Sequence, residues 1–258
     1  MGIAELMAKL VSMRRVFPIL VCLLLVACGD APLAGVGAKS SDWISEPTMP
    51  ITETTALNGP TLASIHRTEW FNGDLSPVGG TTPDEIISAV YTRARSSDPY
   101  VQATPAEIAA ALPGIEFPSQ VPPEVRYITS QLVYDLSQLT LATDQVAAFG
   151  LWSVEPYTRS RSVGQQGVLT VINDPEGVAA MNSGMADTSC ARYIDRQAQC
   201  TVQTVKDGPA WELADNLGVT LVWFSDAYRY ELFLRSGVNP SLAREMAESA
   251  RLLSALAF

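Results

Sequence analysis

Near its C-terminus the chain reads Val219-Thr220-Leu221-Val222-Trp223-Phe224, turns at Ser225-Asp226-Ala227, and continues as Tyr228-Arg229-Tyr230-Glu231-Leu232-Phe233-Leu234. In the second run, Arg229 and Glu231 alternate with large apolar or aromatic residues. Alternation with a period of two is typical of a half-buried strand, and two such strands joined by a short turn form an antiparallel hairpin. This stretch therefore predicts a sheet with one covered face.

Further strands are predicted upstream, where β-branched and aromatic residues form short runs bounded by turn residues. These runs are 125–134, 145–154, 167–172 and 201–205. The last is followed by a turn predicted over Lys206-Asp207-Gly208-Pro209. Together with the C-terminal hairpin they place the strands of the domain within 124–236.

Helices are predicted on both sides of the strands. Thr82-Pro83-Asp84-Glu85 and Thr104-Pro105-Ala106-Glu107 each combine a cap residue, a proline at the first helical position and a glutamate three residues after the cap. They predict a helical lead-in over 82–113. After Gly237, Asn239 and Pro240 predict the start of a C-terminal helix spanning 239–256.

The N-terminal segment has the pattern of an export signal, which predicts a signal peptide over residues 1–27. Arg14 and Arg15 precede the apolar run from Phe17 to Cys28, which is shorter than the roughly 20 residues that span a bilayer. Its Leu25-Val26-Ala27-Cys28 ending resembles the signal of bacterial lipoproteins. That resemblance implies diacylation of the Cys28 thiol, with palmitate as a typical acyl group, and cleavage after residue 27. An ordinary secretory signal, or a buried apolar element with a chance cysteine, are the alternatives.

Residues 28–81 are predicted to form a flexible tether because they are rich in Gly, Ser, Thr and Pro and lack apolar periodicity. The part from Leu62 to Phe71 is less polar, and a short docked helix or strand is an alternative there. The folded domain is then 82–258. The predicted fold class is α+β: a curved antiparallel sheet packed against helices, preceded by a signal peptide and a flexible leader.

Two cysteines remain after Cys22 leaves with the signal and Cys28 takes the lipid. Cys190 and Cys200 form an even pair that suits an oxidising compartment, so a disulfide between them is predicted. A metal site is the alternative, but the pair lacks further cysteines and the chain's single histidine, His66, is distant in sequence. No metal and no cofactor are predicted.

The charge of the chain limits its partners. The formal net charge is −10, and removal of Lys9, Arg14, Arg15 and Glu5 with the signal changes it to −12. An acidic protein is a poor ligand for nucleic acid and for anionic lipid surfaces. Membrane attachment is therefore expected through the lipid on Cys28, on the exported side of a bacterial membrane.

The C-terminal part also resembles a known group of proteins. Trp223, the turn at Asp226, Tyr228 and Tyr230, and Met246-Ala247-Glu248-Ser249 are similar to the C-terminal half of bacterial envelope lipoproteins of unknown function. In that group a curved antiparallel sheet packs against helices. This chain departs from the pattern at Ala227, where a glycine is expected in the turn.

No catalytic motif is apparent. The chain lacks a nucleophile elbow, a phosphate-binding loop and a dinucleotide fingerprint, and His66 next to the tether is read as a solvated or capping residue. Four acids at predicted strand ends, Asp135, Asp144, Glu155 and Asp174, leave one alternative, a hydrolase acting on an envelope polymer.

The main hypothesis is a non-enzymatic envelope lipoprotein with a binding or envelope-maintenance role. Its ligand would be an envelope protein, a lipid or a glycan. The residues expected to line a ligand surface are Trp152, Tyr157, Arg159, Arg161, Trp223, Tyr228 and Tyr230. The alternative for the aromatic residues is that most of them form the core between the sheet and the helices.

Overall fold

The structure, a computed structural model, describes residues 61–71, 75–95, 98–156, 163–185, 187–190, 198–225 and 227–256. The predicted signal peptide, Cys28 and the tether up to residue 60 lie outside the described residues. No helix in the described part of the chain is long and apolar enough to cross a membrane.

The described residues have mixed helical and strand content, dominated by one large sheet. The helices are α1 (Pro83–Tyr91), α2 (Pro105–Ala111), α3 (Pro175–Asn182) and α4 (Ser241–Glu248). The strands are β1 (Ala63–Ser64), β2 (Glu69–Trp70), β3 (Tyr100–Gln102), β4 (Glu116–Pro118), β5 (Gln120–Val121), β6 (Tyr127–Asp135), β7 (Thr140–Leu141), β8 (Gln145–Trp152), β9 (Gln165–Ile172), β10 (Gln199–Val205), β11 (Gly208–Ala214), β12 (Gly218–Phe224), β13 (Arg229–Arg235) and β14 (Ala250–Leu252).

Ten of these strands form an open sheet in the order β10-β11-β12-β13-β9-β8-β6-β2, with β3 and β7 also pairing with β6. The pairing is antiparallel everywhere except between β2 and β6. The predicted C-terminal hairpin lies inside this sheet as β12 and β13, with Trp223 opposite Tyr230. An antiparallel sheet within an α+β fold is therefore confirmed.

The two faces of the sheet differ in what covers them. On the inner face, Leu221 and Leu232 are fully buried in a core shared with Ile108 of α2 and Met246 of α4. On the outer face, buried Trp211 belongs to a smaller apolar cluster that also includes Val222, against which the half-buried Met181 of α3 and the two half-buried cysteines pack. The alternation of the hairpin matches this arrangement, because Arg229 and Glu231 point to the outer face.

Helices α1 and α2 begin where the sequence predicts. In α1 the Thr82 hydroxyl accepts from the Glu85 backbone N–H, and the Glu85 carboxylate accepts from the Thr82 backbone N–H. Thr104 and Glu107 make the same capping box in α2. Each box satisfies backbone donors that a helix N-terminus leaves unpaired, and a proline at the first helical position has no such donor to satisfy.

The Glu107 carboxylate also forms an ion pair, which the Glu85 carboxylate does not form with any described residue. It is nearly buried, at 6% side-chain exposure, and forms a two-pronged ion pair with the Arg93 guanidinium at 2.7 and 2.8 Å. It also accepts from the backbone N–H groups of Thr104 and Val78. One carboxylate thus joins the end of α1, the start of α2 and the segment around Val78.

The C-terminal helix is shorter than predicted. The expected span 239–256 is wrong, because α4 ends at Glu248, and the chain then forms β14 and a 3-10 turn at Leu253–Ala255. Strand β14 pairs with β4, and the Ser119 hydroxyl donates to the carbonyl oxygen of Ser249 at the point of departure. Pairing with β4 therefore overrides the helical pattern of the last residues.

Three other elements differ from the prediction. The turn after β10 is limited to Lys206 and Asp207, both with positive φ, and β11 already begins at Gly208. Helix α3, which the sequence analysis did not predict, starts at Asp174, whose side chain accepts from the Gly177 N–H. Residues 63–70, placed in the tether with docking as an alternative, form β1 and β2 and pair with β5 and β6.

We predict that Glu107→Gln lowers the free energy of unfolding by about 3 kcal/mol, because it leaves the half-buried Arg93 guanidinium without its anion. Glu85→Gln is the matched control: it changes the same position of an identical but exposed capping box, and should lower the free energy of unfolding much less. Urea unfolding at pH 7 measures both. Equal losses would contradict the assigned role of Glu107.

The same pair predicts a pH dependence. Burial raises the pKa of Glu107, but hydrogen bonds from Arg93, Thr104 and Val78 outweigh it and hold the pKa below the ordinary value of 4.5. Because the folded-state pKa is the lower one, this stabilisation is present above pH 4.5 and is lost as the pH falls through the folded-state pKa. Acid titration of stability should therefore be shallower in Glu107→Gln than in the wild type.

Candidate functional site

The residues predicted to line a ligand surface do not lie on one surface. Tyr157, Arg159 and Arg161 are outside the described residues. Of the remaining four, Trp152 is on the outer face of the sheet, whereas Trp223 and Tyr230 are on the inner face. Alternation of residue types along a strand shows which of its residues share a face. It does not show which face of one strand lies on the same side of the sheet as a given face of another strand.

Trp223 and Tyr230 are core residues, so their assignment to a ligand surface is wrong. Their exposed fractions are 1% and 0%, and their rings stack at a centroid distance of 5.1 Å. The Tyr230 hydroxyl accepts from the backbone N–H of Glu116 in β4, and burial raises the pKa of Tyr230. Tyr228 is half-buried against the same core, and burial raises its pKa as well.

Trp152 is half-buried and lies across Gly150 on the outer face. Its indole N–H donates to the Thr129 hydroxyl at 3.1 Å. A Cβ atom at Gly150 would stand 2.6 Å from both the Trp152 Nε1 and the Thr129 Oγ1 atoms, closer than carbon contacts allow. The absence of a side chain at Gly150 therefore leaves the space that the Trp152 indole occupies over the sheet.

The predicted disulfide is present. Cys190 and Cys200 are bonded, with their Cα atoms 5.9 Å apart. The bond lies against the outer-face cluster of Trp211, whose indole N–H donates to the carbonyl oxygen of Ser189. The bond therefore holds the segment before Cys190 to the start of β10.

The strand-end acids of the hydrolase alternative have local structural contacts. Asp135 accepts from the hydroxyl and backbone N–H of Ser137, and these bonds lower the pKa of the Asp135 carboxyl. Asp174 caps α3 and pairs with the Arg229 guanidinium at 2.7 Å. Asp144 and Glu155 are exposed. The acids with the best-defined surroundings thus serve a turn and a helix cap.

Metal-ligating side chains are dispersed in the described ranges, where no three His, Cys, Asp or Glu residues come together. His66 is exposed in a 3-10 turn at Ile65–Arg67, where its backbone N–H donates to the Ser64 hydroxyl.

A cavity of about 540 Å³ lies beside β3, and we call it the β3 cavity. Its apolar lining comes from Leu75, Ala94 and Val101. Its polar lining comes from residues after α1, from β3 and from the adjoining edge of β6. These polar residues are Arg93, Arg95, Asp98, Tyr100, Gln102 and Gln131. A concave site with an apolar floor and a few convergent polar groups is the usual form of a ligand pocket.

The two arginines of the β3 cavity differ in their partners. Arg93 is engaged by Glu107, by the Gln102 carbonyl oxygen and by the Ser76 carbonyl oxygen. Arg95 is exposed, and its guanidinium has no hydrogen-bond or ion-pair partner among the described residues. The Arg93 guanidinium thus supports the wall of the cavity, whereas the N–H donors of Arg95 have no partner among the described residues.

The remaining polar groups of the β3 cavity are neutral or already engaged. Asp98 accepts from the Tyr100 backbone N–H, and the Tyr100 hydroxyl donates to the Gln145 side chain at 3.4 Å. Gln131 is half-buried on β6 opposite Gln102 of β3. The cavity therefore offers one guanidinium without a partner among the described residues, next to amide and hydroxyl groups and the Asp98 carboxylate.

A second cavity, of about 440 Å³, is less suited to an anion. It lies between the β10–β11 turn and the end of α3, and its cation, Lys206, already pairs with Glu116 at 2.8 Å. The comparison favours the β3 cavity as the candidate site.

The β3 cavity was not predicted from the sequence, although the sequence contains a signal for it. Tyr91-Thr92-Arg93-Ala94-Arg95 places two cations at the end of α1 in a strongly acidic chain. Cations at a helix C-terminus are common because they complement the helix dipole, so the run carries little functional information by itself. What distinguishes Arg93 from Arg95 is Glu107, which is twelve residues beyond the second arginine and reaches the first through the fold.

No family model, curated protein or solved structure matches this chain. The resemblance of its C-terminal part to envelope lipoproteins therefore stays a prediction.

Proposed function

We propose that this protein is an envelope lipoprotein, anchored through lipid on Cys28 on the exported side of a bacterial membrane, with a non-enzymatic binding role. Two observations support export: the Leu25–Cys28 motif behind an apolar run, and the bond between Cys190 and Cys200, since disulfides persist in oxidising compartments. A diacylated cysteine carries two acyl chains, which is enough for stable anchoring.

The binding role is carried by the β3 cavity, and within it by Arg95. The Arg95 guanidinium has no partner among the described residues, and guanidinium groups bind carboxylates through paired, charge-assisted hydrogen bonds. The neighbouring amide and hydroxyl groups suit a polar ligand. Of an envelope protein, a lipid and a glycan, a glycan that bears a carboxylate fits this lining best.

The hydrolase alternative is less well supported. Glycosidases use two carboxyl groups facing each other across the substrate. Here Asp135 is held by Ser137 in a turn, and Asp174 is held by Arg229 and by the start of α3. The β3 cavity itself presents a single carboxylate, Asp98.

We predict that Cys28→Ala moves the protein from the membrane fraction to the soluble fraction and abolishes palmitate incorporation, because lipid is the proposed membrane attachment. The measurement is fractionation with metabolic labelling. Cys22→Ala is the matched control: it removes a cysteine from the same apolar run and should leave anchoring unchanged. Retention of the Cys28→Ala protein in the membrane would refute lipid anchoring.

We predict that the protein binds N-acetylmuramic acid in preference to N-acetylglucosamine, which is the same type of sugar without the carboxylate. Arg95→Gln should weaken binding of the acidic sugar by about tenfold, the loss expected for one charge-assisted contact at an exposed site. Calorimetric titration measures both affinities.

Arg244→Gln is the control for the loss of charge, because Arg244 is exposed on α4 and does not line the β3 cavity. Equal affinity for the two sugars, or equal losses in the two variants, would contradict the assignment of Arg95.

A further inference from the structure

The two edges of the ten-stranded sheet differ in whether other strands cover them. At one edge, the outer side of β6 is covered by two short strands of two or three residues, β2 and β3. At the other edge, β10 is seven residues long, and none of the described strands pairs with its outer side. Short edge strands protect a sheet from further pairing, whereas a long open edge is a template for another strand.

The turn between β10 and β11 determines which backbone groups of β10 point outward. Val205 pairs with Gly208 across a two-residue loop, so these two residues exchange hydrogen bonds, as in hairpins of this type. The next bonded positions along β10 are Gln203, Thr201 and Gln199. The N–H and C=O groups of the alternate residues, Cys200, Val202 and Thr204, therefore point away from β11.

The position of Pro209 agrees with this assignment. Pro209 stands opposite Thr204. Because proline has no N–H to donate, it fits at a position where the two strands exchange no hydrogen bonds. The outward direction of the Thr204 backbone groups follows independently of the loop.

Strand β10 lacks the sequence features that usually prevent an edge strand from pairing with another strand. The strand reads Gln199-Cys200-Thr201-Val202-Gln203-Thr204-Val205, without a charge or a proline, and its pairing with β11 has no bulge. Val202, at its centre, is 47% exposed. Lysines, prolines and bulges are the features by which edge strands normally avoid pairing.

The strand is also held in shape at both ends. Near the turn, the Lys206 ammonium pairs with Glu116, and the Lys206 backbone N–H donates to the Glu248 carboxylate. At the other end, Cys200 is bonded to Cys190. A strand fixed in this way loses little conformational freedom when it pairs, which favours association.

We propose that β10 pairs antiparallel with β10 of a second copy of this chain, about a two-fold axis at Val202. This register places the two Val202 residues opposite each other and Thr204 opposite the second copy's Cys200. Thr201 then faces the second copy's Gln203. All pairs are uncharged, and the exposed Val202 side chains cover each other, so the edge is complementary to itself.

Val202→Pro tests this pairing directly. It removes an outward-pointing N–H and leaves the bonds between β10 and β11 intact, so the monomer should keep its thermal midpoint. Gln203→Pro, one residue on, removes a hydrogen bond to β11 and should lower the thermal midpoint.

Val202→Lys is the second blocking variant, since it places two cations opposite each other in the dimer. Leu217→Lys is the control, because Leu217 is 64% exposed in the β11–β12 turn, away from the edge.

The experiment is sedimentation velocity of the full-length protein in detergent, from about 1 to 300 µM, a range suited to a small interface of modest affinity. We expect a concentration-dependent dimer for the wild type and Leu217→Lys. Val202→Pro and Val202→Lys should dimerise at least about tenfold more weakly. A wild type that stays monomeric, or blocking variants that dimerise like the wild type, would overturn the proposal. The outcome is independent of ligand binding at the β3 cavity.

Discussion

The arrangement of helices α1 and α2 depends on the Glu107 carboxylate. Its four accepted hydrogen bonds, two from Arg93 and one each from Thr104 and Val78, join three segments that are separate in sequence. A carboxylate this deeply buried is costly unless it is paired and fully hydrogen-bonded, and here both conditions are met. The same ion pair holds one wall of the β3 cavity. It commits Arg93 to structure and leaves Arg95 as the cation available to a ligand.

The elements that could be predicted from the sequence are those with local causes. Helices α1 and α2 carry their start signals in four consecutive residues, and the β12–β13 hairpin carries its own alternation. The end of α4 could not be predicted, because it is decided by the pairing of β14 with β4, more than 130 residues earlier. Helix α3 had a local start signal in Asp174-Pro175, but Asp174 directly follows a predicted strand and was interpreted as the end of that strand.

The candidate site was much less predictable than the fold. The aromatic residues proposed for a ligand surface were chosen by type, and their exposure depends on which face of the sheet the helices cover. Trp223 faces the covered side and is buried, whereas Trp152 faces the other side and lies over Gly150. Arg95 could not be distinguished from Arg93, since the difference between them is the contact with Glu107 made through the fold. The disulfide was predictable, because only one pair of cysteines remained once the signal was assigned.

The described α+β residues contain an arginine-bearing cavity and a sheet edge that no described strand covers, and we propose that lipid on Cys28 holds this domain at a membrane. The most direct test of that central claim is the mass of the N-terminal peptide of the protein purified from bacterial membranes. We expect this peptide to begin at Cys28 and to carry a thioether-linked diacylglyceryl group. An N-terminal peptide that begins elsewhere, or a Cys28 that is present but unmodified, would contradict it.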